Sequence, residues 1–595
     1  MLLTLLLLAS SGATILTDSM TIELDHNGLK TLNREFVVLI ETQMGREEFG
    51  DIETRYNNKT STFTIFSAYT KTKEGMIYKP EEKGIADVSA PETHRAPMYA
   101  NNLLKVVSFP EVEPGSELHY HYQIKWKESS FLPLTGSHTF GWKFPIKREV
   151  FTLIVPDTLN LNLSIKPDQL TKKKGYTLYR WERKDIPRIK ILPYKLPNYK
   201  IATELIYSSI DSWNVLSSKI YDILSRGIQP IKRSKDLNAL YSFTKDSIRT
   251  ISVPLQFIGL KPHPPLEIMK NRYGCPRDKA LLLISLLQGI GYDAFPVLIE
   301  REPEAFGFSV PIGGFLFNAK GVNKNLPCLS HFGSIIVGLE INNELHFLDP
   351  SSEHCGAGYI PAEGESVWVI RKDSSYFYKI PEFKENKIQV DNQLTLMGNG
   401  NLKGKSITTL KGCFSKAFQD WVESKKKGKE RQDYLKSLLS IISISAKPDT
   451  MKMDLWGDSV KIMLKFKAPN YASKQGDYLI LDLFRNPVGY FPLSILIQSK
   501  ERPYPFHFDF SSATLNEYTT LEYPASLQSK YLPEVIDIKG EGYRFKILSS
   551  KEKGKIEYRR ITQYTRRTLS EKSNIINDIK KFLVKKTLRF LFEGE

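Results

Sequence analysis

Along the first third of the chain, hydrophobic positions recur at every second residue. REFVVLIET (34–42), STFTIFSAYTKT (61–72), HYHYQIKWKE (119–128) and REVFTLIVP (148–156) are rich in β-branched and aromatic residues, and Gly, Pro and Asn separate them. This alternation predicts half-buried strands. Many strands with few helices predict a β-sandwich-like domain over residues 14–199. LPYKLPNYK (192–200), with two prolines, predicts a linker. The period then changes. ELIYSSIDSWNVLSSKIYDIL (204–224) places Leu205, Ile206, Ile210, Trp213, Leu216 and Ile220 on one helical face, and DLNALYSFTKDSIRTI (236–251) repeats the pattern more weakly. KALLLISLLQGI (279–290) is apolar nearly all round, which predicts a helix buried on all sides and stopped at Gly291. DAFPVLIE (293–300) predicts a strand. HFGSIIVGLEINNELHFLDPS (331–351) predicts a hairpin turning at Asn342-Asn343.

From about Lys379 strand patterns return in VKIMLKF (460–466), YLILDLF (478–484) and SLQSKYLPEVIDI (526–538), with one helix near Lys411 to Leu439. They predict a C-terminal β-domain over residues 379–569. Residues 570–595 predict an amphipathic terminal helix. Ile576, Ile579, Leu583 and Phe590 lie on one side of it, accompanied by Lys580, Lys581, Lys585, Lys586 and Arg589. Such a helix either docks on its own domain or lies on an anionic membrane surface.

Composition narrows the function classes. The 595 residues carry a net charge of +17, but the basic runs, Lys172 to Lys174 and Lys425 to Lys427, are short and scattered. They read as solvated faces or as contacts with acidic surfaces such as anionic lipid or envelope polymers. No nucleic-acid-binding signature is present, so nucleic acid is not an expected partner. Cys275, Cys328, Cys355 and Cys413 have no zinc spacing, and no cofactor is expected. Four cysteines in a chain of this length form no disulfide framework; the pair most open to an isolated bridge is Cys328 and Cys355. His119 and His121 alternate on one strand with no third ligand nearby and read as surface histidines. The opening MLLTLLLLASSGAT reads as a short signal peptide (1–13), with an apolar core at Leu2 to Ala9 and cleavage before Thr14. The alternative is an apolar first element of the mature protein. Export would place the chain in the periplasm or outside the cell.

The candidate chemistry centres on Cys275. A cysteine at the N-cap of a helix, followed by proline at the first helical position, meets backbone N–H groups that favour a thiolate. A histidine on a neighbouring strand would take the thiol proton and a carboxylate would orient the imidazole; His331 and Asp349 stand in that chain order. The structural alternatives are a buried or vestigial thiol, a solvated loop histidine and a turn carboxylate before Pro350. His354 and Cys355 follow Asp349 closely enough to share a cleft with it.

IRTISVPLQFIGLKPHPP, NRYGCPRDKALLLISLLQGIGYDAFPVLI and IIVGLEINNELHFLDPS resemble bacterial transglutaminase-like proteins of the papain superfamily. The resemblance covers about Ile248 to Ser352. It implies a papain-like α+β core, set at residues 200–378, between an N-terminal β-domain and a C-terminal β-domain. EVEPGSELHYHYQI (111–124) resembles the end strands of that N-terminal domain. The family implies thiol chemistry on amide bonds, either hydrolysis or acyl transfer to an amine. Its motif usually reads R-Y-G-D-C-K-D-K-A. Here Arg272-Tyr273-Gly274-Cys275-Pro276-Arg277-Asp278-Lys279-Ala280 places Pro276 on the family's cysteine and Cys275 on the preceding aspartate. The family's histidine falls on Ser334, three residues after His331, whereas Asp349 matches the L-D-P position. One residue on a helix turns a side chain by about 100°. Three on a strand move it about 10 Å and to the other face. Taken with the apolar opening read as a signal peptide, the resemblance implies an exported envelope protein that binds a peptide or amide-bearing polymer through a degenerate triad. The alternatives are an active cysteine peptidase, amidase or acyl transferase using Cys275, His331 and Asp349, and an architectural protein whose core is a spacer.

Overall fold

The computed structural model describes residues 12–594 apart from 130–133, 191–200, 234–235, 254, 301–321, 323, 352–365, 373, 383–384, 413, 416–417, 419–431, 434–435, 437, 441–442, 444, 457–458, 483–504, 509–511, 567 and 583–588. The linker expected at 192–200 lies almost wholly outside these residues, as do His354, Cys355 and Cys413. The chain is multidomain and mostly β, with several sheets.

The N-terminal third is built on an eight-stranded sheet. Its order is Gln169–Lys173, Tyr176–Ile186, Ile146–Pro156, Ala13–Leu24, Lys30–Ile40, Glu117–Trp126, Ser61–Lys71 and Ile77–Tyr78. Ala13–Leu24 pairs in parallel with Ile146–Pro156, and the other pairings are antiparallel. A three-stranded sheet of Asp51–Asn57, Asn102–Ser108 and Ile85–Ser89 accompanies it. The C-terminal third repeats the plan. Eight strands form two antiparallel halves, joined by one parallel pair, Lys387–Leu396 with Ala513–Glu522. Strict alternation in these strands buries one face, as in the pattern from Ser459 to Ala468, where Val460, Ile462, Leu464, Phe466 and Ala468 are buried.

Between them lies a five-stranded antiparallel sheet, ordered Glu344–Leu348, Ser334–Ile341, Asp293–Ile299, Ser366–Ile370 and Ser375–Lys379. Asn342 and Asn343 take φ of 52° and 64°, the left-handed pair that a two-residue hairpin turn requires. The helix Pro276–Gln288 packs on this sheet, and every residue from Arg277 to Leu287 is buried. Leu281, Leu283, Ile284 and Leu287 share one cluster with Leu298, Ile335, Val337 and Trp368.

Three expectations need correction. Residues 204–224 are not one helix. Thr203–Ser208 is a strand that buries Leu205 and Ile206, and the helix starts only at Trp213, with Ser212 Oγ accepting the Asn214 N–H at 3.2 Å. That strand pairs with Thr135–Phe140 and with Asn162–Leu163, so pairing crosses the boundary expected at 199/200. The terminus is not one helix either. A helix spans Ile575–Phe582, and Arg589–Gly594 is a strand between Tyr478–Asp482 and Leu527–Tyr531. RFLFEG alternates, and Phe590 and Phe592 are buried, so period two wins there over helical spacing. The helix's Ile575, Ile579 and Phe582 are buried against the strand Tyr543–Glu552, with the Phe545 and Phe582 rings 5.3 Å apart. As docked, Ile575, Ile579 and Phe582 face their own domain, and Leu583 lies outside the described residues.

Candidate functional site

The helix mouth is delivered by a short extended bridge. The helix Pro265–Asn271 ends at Arg272, which takes a left-handed φ of 61°. Tyr273–Gly274 then pairs in parallel with Arg249–Thr250. Cys275 follows in extended conformation as the N-cap, and Pro276 occupies the first helical position.

Cys275 is 0% exposed, whereas Pro276 is only half-buried. The residue at the more open position of the mouth is therefore the proline, which has no thiol and no backbone N–H. Around the cysteine, Ala96, Tyr99, Ile251, Val253 and Tyr273 form an apolar cluster. Two of these, Ala96 and Tyr99, come from the N-terminal third. The Tyr99 hydroxyl accepts the Cys275 N–H at 2.8 Å and donates to Asp278 Oδ2 at 2.5 Å. Asp278 also accepts from the His263 backbone N–H at 3.2 Å and from Arg277 Nε at 2.9 Å, and the His263 ring Nδ1 lies 2.8 Å away. Arg277 in turn donates to the carbonyls of Gly259 and Ile258, at 2.7 and 3.2 Å.

Electrostatics follows burial rather than the helix dipole. Burial pushes the Cys275 thiol up to about 12, and the Asp278 charge adds to this against Arg277. The thiolate expected at a helix N-cap is thus disfavoured, because desolvation outweighs the first-turn N–H groups. Asp278 shows the opposite balance. Burial pushes it up, but the Arg277 charge and the His263 hydrogen bond hold it well below the usual carboxylate range.

His331 and Asp349 lie in separate surroundings. His331 closes the 3-10 turn Leu329–His331, and its Nε2 is 3.1 Å from Glu204 Oε1, on the strand Thr203–Ser208. Beside it, the Ser330 and Ser137 hydroxyls are 3.0 Å apart. Among the described residues, His331 Nδ1 and Glu204 Oε2 are buried without a hydrogen-bond partner. Asp349, 0% exposed, accepts the Ser351 N–H at 2.9 Å and its hydroxyl at 2.5 Å, while its carbonyl accepts from Tyr241 at 3.2 Å. Among the described residues, no hydrogen bond joins Cys275 to His331 or His331 to Asp349. Ser334, at the position the family resemblance gives to histidine, has its hydroxyl buried and, among the described residues, without a hydrogen-bond partner. It shares strand parity with Ile336, whose cluster with Val297, Ile299 and Val367 lies on the sheet face away from the helix.

Cys328 carries a free thiol 2.9 Å from Ser330 Oγ, and Cys355, the partner expected for it, lies outside the described residues. His119 pairs with Glu117 and stacks on Tyr69, and among the described residues no His, Cys, Asp or Glu group is arranged to hold a metal. Because Glu204 is His331's partner, Glu204→Ala should loosen the seam between the strand Thr203–Ser208 and the turn Leu329–His331. The expected cost is about 1–3 kcal/mol. Amide hydrogen exchange should rise together in both segments.

The sequence reading missed Tyr99, His263 and the structural part of Asp278. The signal available was Arg277-Asp278-Lys279 opening a helix that is otherwise apolar all round, since buried charges must be paired. Nothing in PMY (97–99) announced the tyrosine.

Comparison with known proteins fits this architecture. Residues 26–190 match a family described as a domain of unknown function with a solved structure, DUF3857. Tyr99 lies inside that match. The whole chain shares its fold with the crystal structure of a "putative protease" from Parabacteroides distasonis, with a TM-score of 0.67 at 13% identity, covering 98% of this chain and 100% of that one. A 176-residue stretch is 23% identical to a probable polyketide synthase 8/35 of Dictyostelium discoideum; it covers 30% of this chain, which spans only 6% of that protein's length.

Proposed function

We propose that this chain is an exported cell-envelope protein whose central unit is a transglutaminase-like core that binds peptide or amide-bearing polymers without cleaving them. The observation that carries the reading is the helix mouth. Pro276 takes the more open position, and the thiol beside it is sealed, protonated at neutral pH and, among the described residues, without a histidine partner. The likeness over 98% of the chain to a structure described as a "putative protease" supports descent from a peptide-handling fold. The separate partners of His331 and Asp349 support loss of turnover. Export rests on the apolar opening Leu2 to Ala9; a cut before Thr14 would remove a single residue of the strand Ala13–Leu24.

The test is iodoacetamide alkylation of the purified chain across pH, read per cysteine by mass spectrometry, beside assays with casein and fluorogenic peptide amides. Cys275 should resist labelling near neutral pH. A thiol moved from 9.0 to about 12 holds roughly a thousandfold less thiolate. No peptide should be cleaved, and Cys275→Ala should leave sedimentation with envelope polymer unchanged. Fast labelling of Cys275 that slows in His331→Ala would instead establish the active cysteine enzyme. N-terminal sequencing of the protein from fractionated cells tests export.

A further inference from the structure

The segment 91–99 of the N-terminal domain is built unlike its surroundings. It consists of two single 3-10 turns, Pro91–Thr93 and Pro97–Tyr99, with Arg95 between them at a left-handed φ of 54°. Such turns carry few internal hydrogen bonds, so what they dock on holds them. Here that is partly its own domain, through the Glu92–Arg55 ion pair and the Asn102 side-chain amide donating to the Tyr99 carbonyl at 3.1 Å, and partly the core. Arg249 donates to the carbonyls of Arg95 and His94 at 2.7 and 3.4 Å, and the Met98 N–H donates to the Tyr273 hydroxyl at 3.2 Å. The Arg249 bonds are solvent-exposed and weak anchors. Tyr99 is different: it is 2% exposed, and its hydroxyl bridges the Cys275 N–H and the Asp278 carboxylate.

We propose that the N-terminal domain caps the core: segment 91–99 is a latch over the helix mouth, and Tyr99 is its bolt. The latch controls access to Cys275. Closed, it fills the space in front of the thiol and occupies the nearest backbone donor. Open, it exposes the thiol and frees the Cys275 N–H for an acceptor on a ligand. Lifting it breaks the Tyr99 anchor, the packing of Ala96, the part-buried Met98–Tyr273 bond and the exposed Arg249 bonds but leaves the rest of the core in place, so it opens at lower cost than the core unfolds. This gives the N-terminal domain a regulatory role, and it holds whether or not the core is catalytic.

The experiment is native-state iodoacetamide labelling of the full chain and of Tyr99→Ala, read per cysteine. Cys328 is the internal reference, because it is also fully buried but sits at the other seam. The expected result is that Cys275 labels at least tenfold faster in the variant while Cys328 is unchanged. An unchanged Cys275, or an equal rise at both cysteines, overturns the latch. Should the variant not fold, the wild-type chain is labelled in increasing sub-denaturing urea. Cys275 labelling should then rise with a shallower urea dependence than the loss of amide protection in the helix Pro276–Gln288; equal dependences overturn the proposal. Peptide cleavage gained by Tyr99→Ala would sink the non-catalytic reading and leave the latch standing.

Discussion

Asp278→Asn should destabilise the central unit by about 3–5 kcal/mol, because it leaves a buried guanidinium without its counter-charge. Arg277 is 2% exposed and Asp278 is 1% exposed, and the carboxylate is the common acceptor for Tyr99, His263 and Arg277. An amide in its place accepts on one side only and returns no charge. The measurement is amide hydrogen exchange in the helix Pro276–Gln288, which reports this unit without assuming that a multidomain chain unfolds in two states. Pairing the change with Arg277→Met should recover part of the loss, since removing both charges avoids an isolated buried ion. The pH dependence has a definite sign. A carboxylate held below its ordinary value near 3.8 contributes stability that is present above that value and lost as pH falls through the lower folded value. Wild-type protection should therefore fall with acid, and Asp278→Asn should flatten that arm. Cys275 sets the alkaline arm: its raised value contributes below about 9.0 and is lost as pH rises toward about 12.

Lys279→Ala should cost a similar amount, about 3–5 kcal/mol, through a different mechanism. Its side chain is 0% exposed, and the ammonium donates to the Ile248 carbonyl at 2.6 Å, the Thr250 hydroxyl at 2.9 Å and the Lys245 carbonyl at 3.2 Å. Those acceptors hold the turn leading into Arg249–Thr250, the strand that pairs with Tyr273–Gly274 and so positions Cys275. Truncation leaves buried acceptors unpaired and opens a cavity along the stem. Lys279→Met keeps the stem and loses only the bonds, so it should fall between wild type and alanine. Exchange at Thr250 and Ile251 should rise in both variants, and by more in the alanine variant.

Much of this was open to a reading of periodicity. The helix Pro276–Gln288 announced itself by an apolar run with no polar face, and the hairpin by Asn342-Asn343 between two apolar strands. Long alternating strands were legible at both ends of the chain. Residues 204–208 were not, because Leu205 and Ile206 fit a helical face shared with Trp213 and Leu216 as well as they fit a strand. Their pairing with Thr135–Phe140 decides the matter. The last residues failed for the same reason: Phe590 sits in register with both a helix and a strand, and the open edges of Tyr478–Asp482 and Leu527–Tyr531 selected the strand.

The candidate site divides along the same line. By itself, the sequence determined that a cysteine would stand at the start of a buried helix, that proline would follow it, and that an aspartate would end the hairpin. These depend on the nearest few residues and on which of them water excludes. Only the tertiary structure decided what that cysteine is worth. Tyr99 reaches it from 176 residues away, and Glu204 claims His331 across 127. A thiol's acidity depends on whether its end of the helix faces water or protein, and no local period encodes which distant segment arrives to cover it.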